Sequence, residues 1–140
     1  MSYHDGKASV LVVEDDPDLL CLVERMLANG GFETSAAATA ADGLKLVRDR
    51  EGRLDLAIVD MVMPGMSGLD LATDLLREYP ELKILYISGY VGSLAADALA
   101  RRSPDRVLLK PFTEETLLER VRMLLEAGPA ARAIHDGAKG

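Results

Sequence analysis

Leu56-Ala57-Ile58-Val59-Asp60-Met61-Val62-Met63-Pro64-Gly65 sets the terms for the rest of the chain. Four apolar residues run into a carboxylate, and a proline and a glycine follow shortly after. A short apolar run bounded by turn residues is the pattern of a buried strand. An acid at its end lies at the C-terminal edge, where open parallel sheets keep their ligand sites. Two other apolar runs also end on reactive side chains. Val10-Leu11-Val12-Val13 meets Glu14-Asp15-Asp16, and Val107-Leu108-Leu109 meets Lys110-Pro111. Three strand ends would bring the acids and the lysine to one edge of one sheet.

Outward from these runs, strand patterns alternate with helical ones. Asp16 suits a helix N-cap and Pro17 the first helical position. Leu19, Leu20, Val23, Met26 and Leu27 follow at helical spacing, and Gly30-Gly31 ends that helix. Phe32 to Ala37 reads as a strand with few apolar residues. Thr39 with Asp42, and Ser67 with Asp70, have capping-box spacing and open two further helices. The first runs through Val47 and stops near Gly52; the second reaches Tyr79-Pro80. Leu54 to Asp60 is the third strand, and Lys83 to Ser88 and Arg106 to Leu109 are the remaining two, separated by an Ala-rich helix from Ser93 to Arg102. Thr113 caps a last helix whose buried face is Leu117, Leu118, Val121, Leu124 and Leu125. Five strand–helix units predict an α/β fold: a five-stranded, doubly wound parallel sheet flanked by five helices in a single domain. The expected folded unit is 8–127, with flexible ends at 1–7 and 128–140.

Composition narrows the function. A net charge of -7 argues against a nucleic-acid surface, which needs clustered Lys and Arg. It suits a site that gathers carboxylates around a cation. No apolar stretch is long enough to span a membrane, and no signal-peptide core is present, so a cytoplasmic setting is expected. The single cysteine, Cys21, cannot form an internal disulfide and reads as a structural thiol.

Converging carboxylates repel and raise one another's pKa unless a cation compensates. Mg²⁺ takes one or two protein carboxylates, several waters and a phosphate oxygen, which matches Glu14, Asp15 and Asp60. Lys110 would add a fixed positive charge, and the Ser88 hydroxyl could hold a phosphoryl oxygen. Asp60 could then attack phosphorus and form an aspartyl-phosphate. Asp16 precedes Pro17 and is read as a cap rather than as a metal ligand.

With these residues in place, the chain resembles a receiver domain of a two-component response regulator. The resemblance rests on Val12-Val13-Glu14-Asp15-Asp16, on Asp60 through Gly68, on Ile87-Ser88-Gly89-Tyr90 and on Leu109-Lys110-Pro111-Phe112, over roughly Val10 to Glu126. Each segment is common alone; the four in order are specific. The resemblance implies Asp60 as phosphoacceptor, Ser88 and Lys110 as partners of the phosphoryl group, and Glu14 and Asp15 as the acidic pair. It implies Mg²⁺ as cofactor, held by Glu14, Asp15, Asp60 and the Val62 backbone carbonyl, and a cis bond before Pro111. It also implies a histidine kinase or histidine phosphotransfer protein as phosphodonor, and a phosphorelay role rather than enzymatic turnover. Tyr86-Ile87-Ser88-Gly89-Tyr90 is similar to receivers fused to hybrid histidine kinases, so the chain is either a complete single-domain regulator or the receiver of a longer protein.

Two positions depart from the family pattern. Many receivers carry an aromatic residue three positions before the lysine; here it is Val107, and Tyr90 is the alternative reporter. Val62 is apolar where many relatives are polar, which predicts an effect on phosphoryl lifetime. Rival readings lack residues they need. A haloacid-dehalogenase-type phosphatase wants a second acid at Val62. A flavin binder wants a phosphate loop where Glu14-Asp15-Asp16 stand. An adaptor acting without phosphorylation would not need the acids, hydroxyl and lysine together.

Overall fold

A computed structural model describes residues 7–89 and 94–137, with side chains described outside 94–96 and 128–137. Its strands are β1 (Ser9–Val13), β2 (Glu33–Ala37), β3 (Leu56–Asp60), β4 (Lys83–Ser88) and β5 (Val107–Leu109). Its helices are α1 (Pro17–Asn29), α2 (Ala40–Asp49), α3 (Gly68–Glu78), α4 (Leu94–Arg102) and α5 (Glu114–Gly137). The strands form one parallel sheet in the order β2-β1-β3-β4-β5.

Side chains alternate across the sheet with period two, so β1, β3 and β4 each feed two cores. Leu11, Val13, Ala57, Val59, Ile84 and Tyr86 pack with Val47 of α2 and Leu71, Ala72 and Leu75 of α3. Val10, Val12, Leu56, Ile58, Leu85 and Ile87 pack with Val23 and Leu27 of α1 and Leu117, Leu118 and Val121 of α5. Both faces are covered, as a parallel sheet requires.

The predicted caps form. Asp16 Oδ1 accepts from the Asp18 amide at 3.0 Å and the Leu19 amide at 3.4 Å. Thr39 Oγ1 accepts from Asp42 N at 3.0 Å, Ser67 Oγ from Asp70 N at 3.1 Å, and Thr113 Oγ1 from Thr116 N at 3.1 Å. Gly31 ends α1 at φ +89°, a left-handed conformation glycine adopts without steric cost. The Lys110-Pro111 bond is cis.

Beyond later starts for β2, at Glu33 rather than Phe32, and for β3, at Leu56 rather than Leu54, three features differ from the sequence reading. Cys21 is exposed and is not a packed structural thiol. It lies two residues from buried Val23, about 200° away around a helix, and so off the buried stripe. A 3₁₀ turn, Pro104–Arg106, precedes β5 and replaces the predicted strand start at Arg106. Finally, α5 continues through Gly128 and Pro129 to Gly137, past the point where a tail was expected to begin. Alanines at 127, 130, 131 and 133 favour helix there. Among the described residues no helix is long and apolar enough to cross a membrane.

Candidate functional site

The sheet order reverses direction at β1, which has β2 on one side and β3 on the other. Crossovers leave β1 and β3 toward opposite faces, and a crevice opens beyond their C-terminal ends. Glu14 and Asp15 leave β1 at this point, and Asp60 ends β3. Lys110 follows β5 directly, and Ser88 ends β4. The fold therefore brings the predicted residues to one edge because each strand stops where its apolar run stops.

Glu14, Asp15 and Asp60 each offer a carboxylate oxygen, and these atoms lie within 4.8 Å of one another. Glu14 and Asp60 are buried, at 1% and 4% exposure, while Asp15 is open to solvent. Lys110 reaches across the group. Its Nζ donates to Asp60 Oδ2 at 3.2 Å and forms an ion pair with Glu14 Oε1 at 3.6 Å. The Val62 amide donates to Asp60 Oδ1 at 3.0 Å, so each Asp60 oxygen has one donor. Glu14 Oε2 accepts from Asp16 N at 3.0 Å, whereas the buried Oε1 has no hydrogen-bond partner among the described residues.

The electrostatics follow from this crowding. Burial pushes the Glu14 carboxyl up to about 7; the Asp16 amide opposes this, Asp60 adds to it and Lys110 subtracts. Burial lowers the Lys110 pKa, but Asp60 and Glu14 outweigh that effect and hold it above its ordinary value. Lys110 stays charged, and one ammonium faces two buried acids.

A cleft of about 460 Å³ opens over Asp60 and is lined by Val62, Gly89 and Lys110 as well. Val62 is 61% exposed at its mouth. Ser88 is 2% exposed, and its carbonyl accepts from Lys110 N at 2.9 Å, which joins the ends of β4 and β5. Asp16 is spent on capping α1, so the cap reading holds over the ligand reading. The sequence reading quoted Gly89 and Gly68 within its motifs but gave neither a role in the cleft or behind it. A Cβ on Gly68 would strike the Asp60 carbonyl group, whose carbon would be 2.8 Å away. Both glycines sit one position beyond a residue already singled out, Ser88 and Ser67. That adjacency was the available signal. Val107 is buried and pairs in register with Tyr86, so the ring in this part of the core comes from β4. Tyr90 lies outside the described residues.

A family model described as the response regulator receiver domain matches residues 10–122. Over 125 residues the chain is 34% identical to the sensor kinase CckA of Brucella abortus, a span of 86% of this chain and 13% of that kinase. Over 112 residues it is 36% identical to YrkP of Bacillus subtilis, an uncharacterized transcriptional regulatory protein, a span of 80% of this chain and 47% of that one. The chain thus spans less than half the length of either relative. A CheY-like receiver domain protein from Methanospirillum hungatei matches with a TM-score of 0.75 at 29% identity, over 86% of this chain and 94% of that one. NtrX from Brucella abortus matches with a TM-score of 0.79 at 30% identity, over 93% of this chain and 29% of that one. Fold and matched segment agree, and the chain belongs to the response regulator receiver domain family of two-component systems.

Proposed function

We propose that this receiver is a phosphoacceptor in which Asp60 takes a phosphoryl group from a phosphohistidine donor in the presence of Mg²⁺. The observation that carries the reading is Asp60 itself: a buried carboxylate at the switch-point crevice, held by Lys110 Nζ and the Val62 amide and opening on a cleft. An Asp60 carboxylate oxygen attacks phosphorus. The new P–O bond forms as the P–N bond to the donor imidazole breaks, and the imidazole leaves with the electron pair. Lys110 shares the negative charge that passes to the acceptor side. Ser88, at the end of the neighbouring strand, supplies a hydroxyl for a phosphoryl oxygen.

The donor set fits Mg²⁺. Three carboxylates converge within 4.8 Å, and Glu14 Oε1 is buried with no hydrogen-bond partner among the described residues. Glu14, Asp15, Asp60 and the Val62 backbone carbonyl would hold the ion. When bound, it supplies positive charge that neutralises the acids and the transferring oxygens. The donor is a histidine kinase or a histidine phosphotransfer protein, and the setting is cytoplasmic. The receiver unit is 8–127, and the chain turns over only its own phosphoryl group, slowly. Incubation with Mg²⁺ and a small acyl phosphate, followed by intact mass, tests this. One added phosphoryl group that disappears in Asp60→Asn is expected. No adduct in wild type would favour an adaptor that works without phosphorylation.

A further inference from the structure

Lys83 is the first residue of β4, at the end of the sheet opposite the acidic site. Its Nζ donates to the main-chain carbonyl of Leu125 in α5 at 2.9 Å, across 42 positions of sequence. Inside an α-helix that carbonyl normally accepts from the amide four residues on. The residue four on from Leu125 is Pro129, whose nitrogen carries no hydrogen. The helix nevertheless continues to Gly137, so the carbonyl that proline leaves without its helical donor is the one the lysine takes.

We propose that Lys83 and Pro129 act as a matched pair: proline interrupts the hydrogen-bond ladder of α5, and the lysine secures the interruption to the sheet. The placement favours a strong bond. Leu124 and Val121 are buried one turn or less from Leu125, and Leu125 packs against the same core, so the carbonyl lies at the edge of apolar packing. A charged donor to a partly buried acceptor is stronger than a neutral one. The pair therefore fixes where the packed part of α5 ends and the residues after Pro129 begin. It also ties that point to β4, the strand whose other end is Ser88. The pair joins α5 and β4 and does not require phosphorylation of Asp60.

A double-mutant cycle on the full chain tests it, with urea unfolding of wild type, Lys83→Met, Pro129→Ala and the double variant. Lys83→Met should raise the unfolding equilibrium constant roughly ten-fold when Pro129 is present. It should raise it clearly less in Pro129→Ala, where the amide of residue 129 can serve Leu125. Losses of the lysine's stem and of its other contacts occur in both backgrounds and cancel. Amide exchange of residues 130–133 should accelerate in Lys83→Met and slow again in the double variant. Equal costs in the two backgrounds would overturn the pairing, as would exchange that ignores Lys83.

Discussion

Glu14 is the residue at which the cost of the site is most concentrated. Its carboxyl is buried, one oxygen has an ion pair to Lys110 but no hydrogen-bond donor among the described residues, and burial pushes its pKa up to about 7 from 4.5. In the metal-free protein, the folded state keeps a proton between those values that the unfolded chain has released. Stability is then full below about 4.5 and falls as pH rises to about 7. Urea midpoints measured with a chelator should decline across that window in wild type, and the decline should shrink in Glu14→Gln. A profile that is the same in both proteins would remove Glu14 as its source. Apparent Mg²⁺ affinity should rise over the same window, since the ligand must lose its proton. Val62 carries a second prediction. Its side chain is 61% exposed at the mouth of the cleft over Asp60. It offers attacking water no hydrogen bond, so Val62→Asn should change the phosphoryl half-life. Decay of the phosphoprotein followed by intact mass measures this, and an unchanged half-life would count against any control by Val62.

At the scale of elements, the sequence is most legible where an apolar run stops on a polar residue. β1, β3, β4 and β5 end within a residue of the expected positions, and those endings deliver Glu14, Asp60, Ser88 and Lys110. Helix starts are legible for a similar reason, because Asp16, Thr39, Ser67 and Thr113 bond their own next turn. β2 is nearly silent as sequence, since Glu33-Thr34-Ser35-Ala36-Ala37 has almost no apolar signal; pairing with β1 makes it a strand. The length of α5 was hidden by Gly128 and Pro129, whose local preference opposes helix. Contacts between distant elements away from the strand ends of the site were not legible. The bonds from Arg120 Nη1 to the carbonyl oxygens of Val107 at 2.7 Å and Pro104 at 3.3 Å have no counterpart in any local pattern. Gly68 is of the same kind. The start of α3 presses on the end of β3, and the Gly68 amide donates to Met61 O at 3.1 Å. Gly68→Ala should cost ~1–3 kcal/mol of stability by overpacking. It should also slow phosphorylation of the fraction that remains folded, because the added methyl displaces the Asp60 backbone. Unfolding curves and adduct rates together check this; a destabilised variant with a normal rate would confine Gly68 to packing.

Across the whole molecule, the site joins stretches of chain that meet only when the sheet is complete. Two buried acids then face a single ammonium, with the exposed Asp15 carboxylate beside them. Such an arrangement opposes folding until a cation arrives, so activity and metal-free stability should pull in opposite directions. Asp60→Asn keeps the shape and removes one charge. Without divalent ions it should unfold at a higher urea concentration than wild type. Mg²⁺ should reverse the order. A ligand that binds only the folded state stabilises it by ~2.7 kcal/mol at a hundred times its dissociation constant, and wild type should receive this in full. Asp60→Asn, with one ligand neutralised, should receive much less. With a net charge of -7, any salt will screen repulsion, so the comparison needs monovalent controls at matched ionic strength. Crossing of the two stability curves as Mg²⁺ is added is the expected result. Parallel curves would mean that the ion stabilises the protein from somewhere other than the edge formed by Glu14, Asp15 and Asp60.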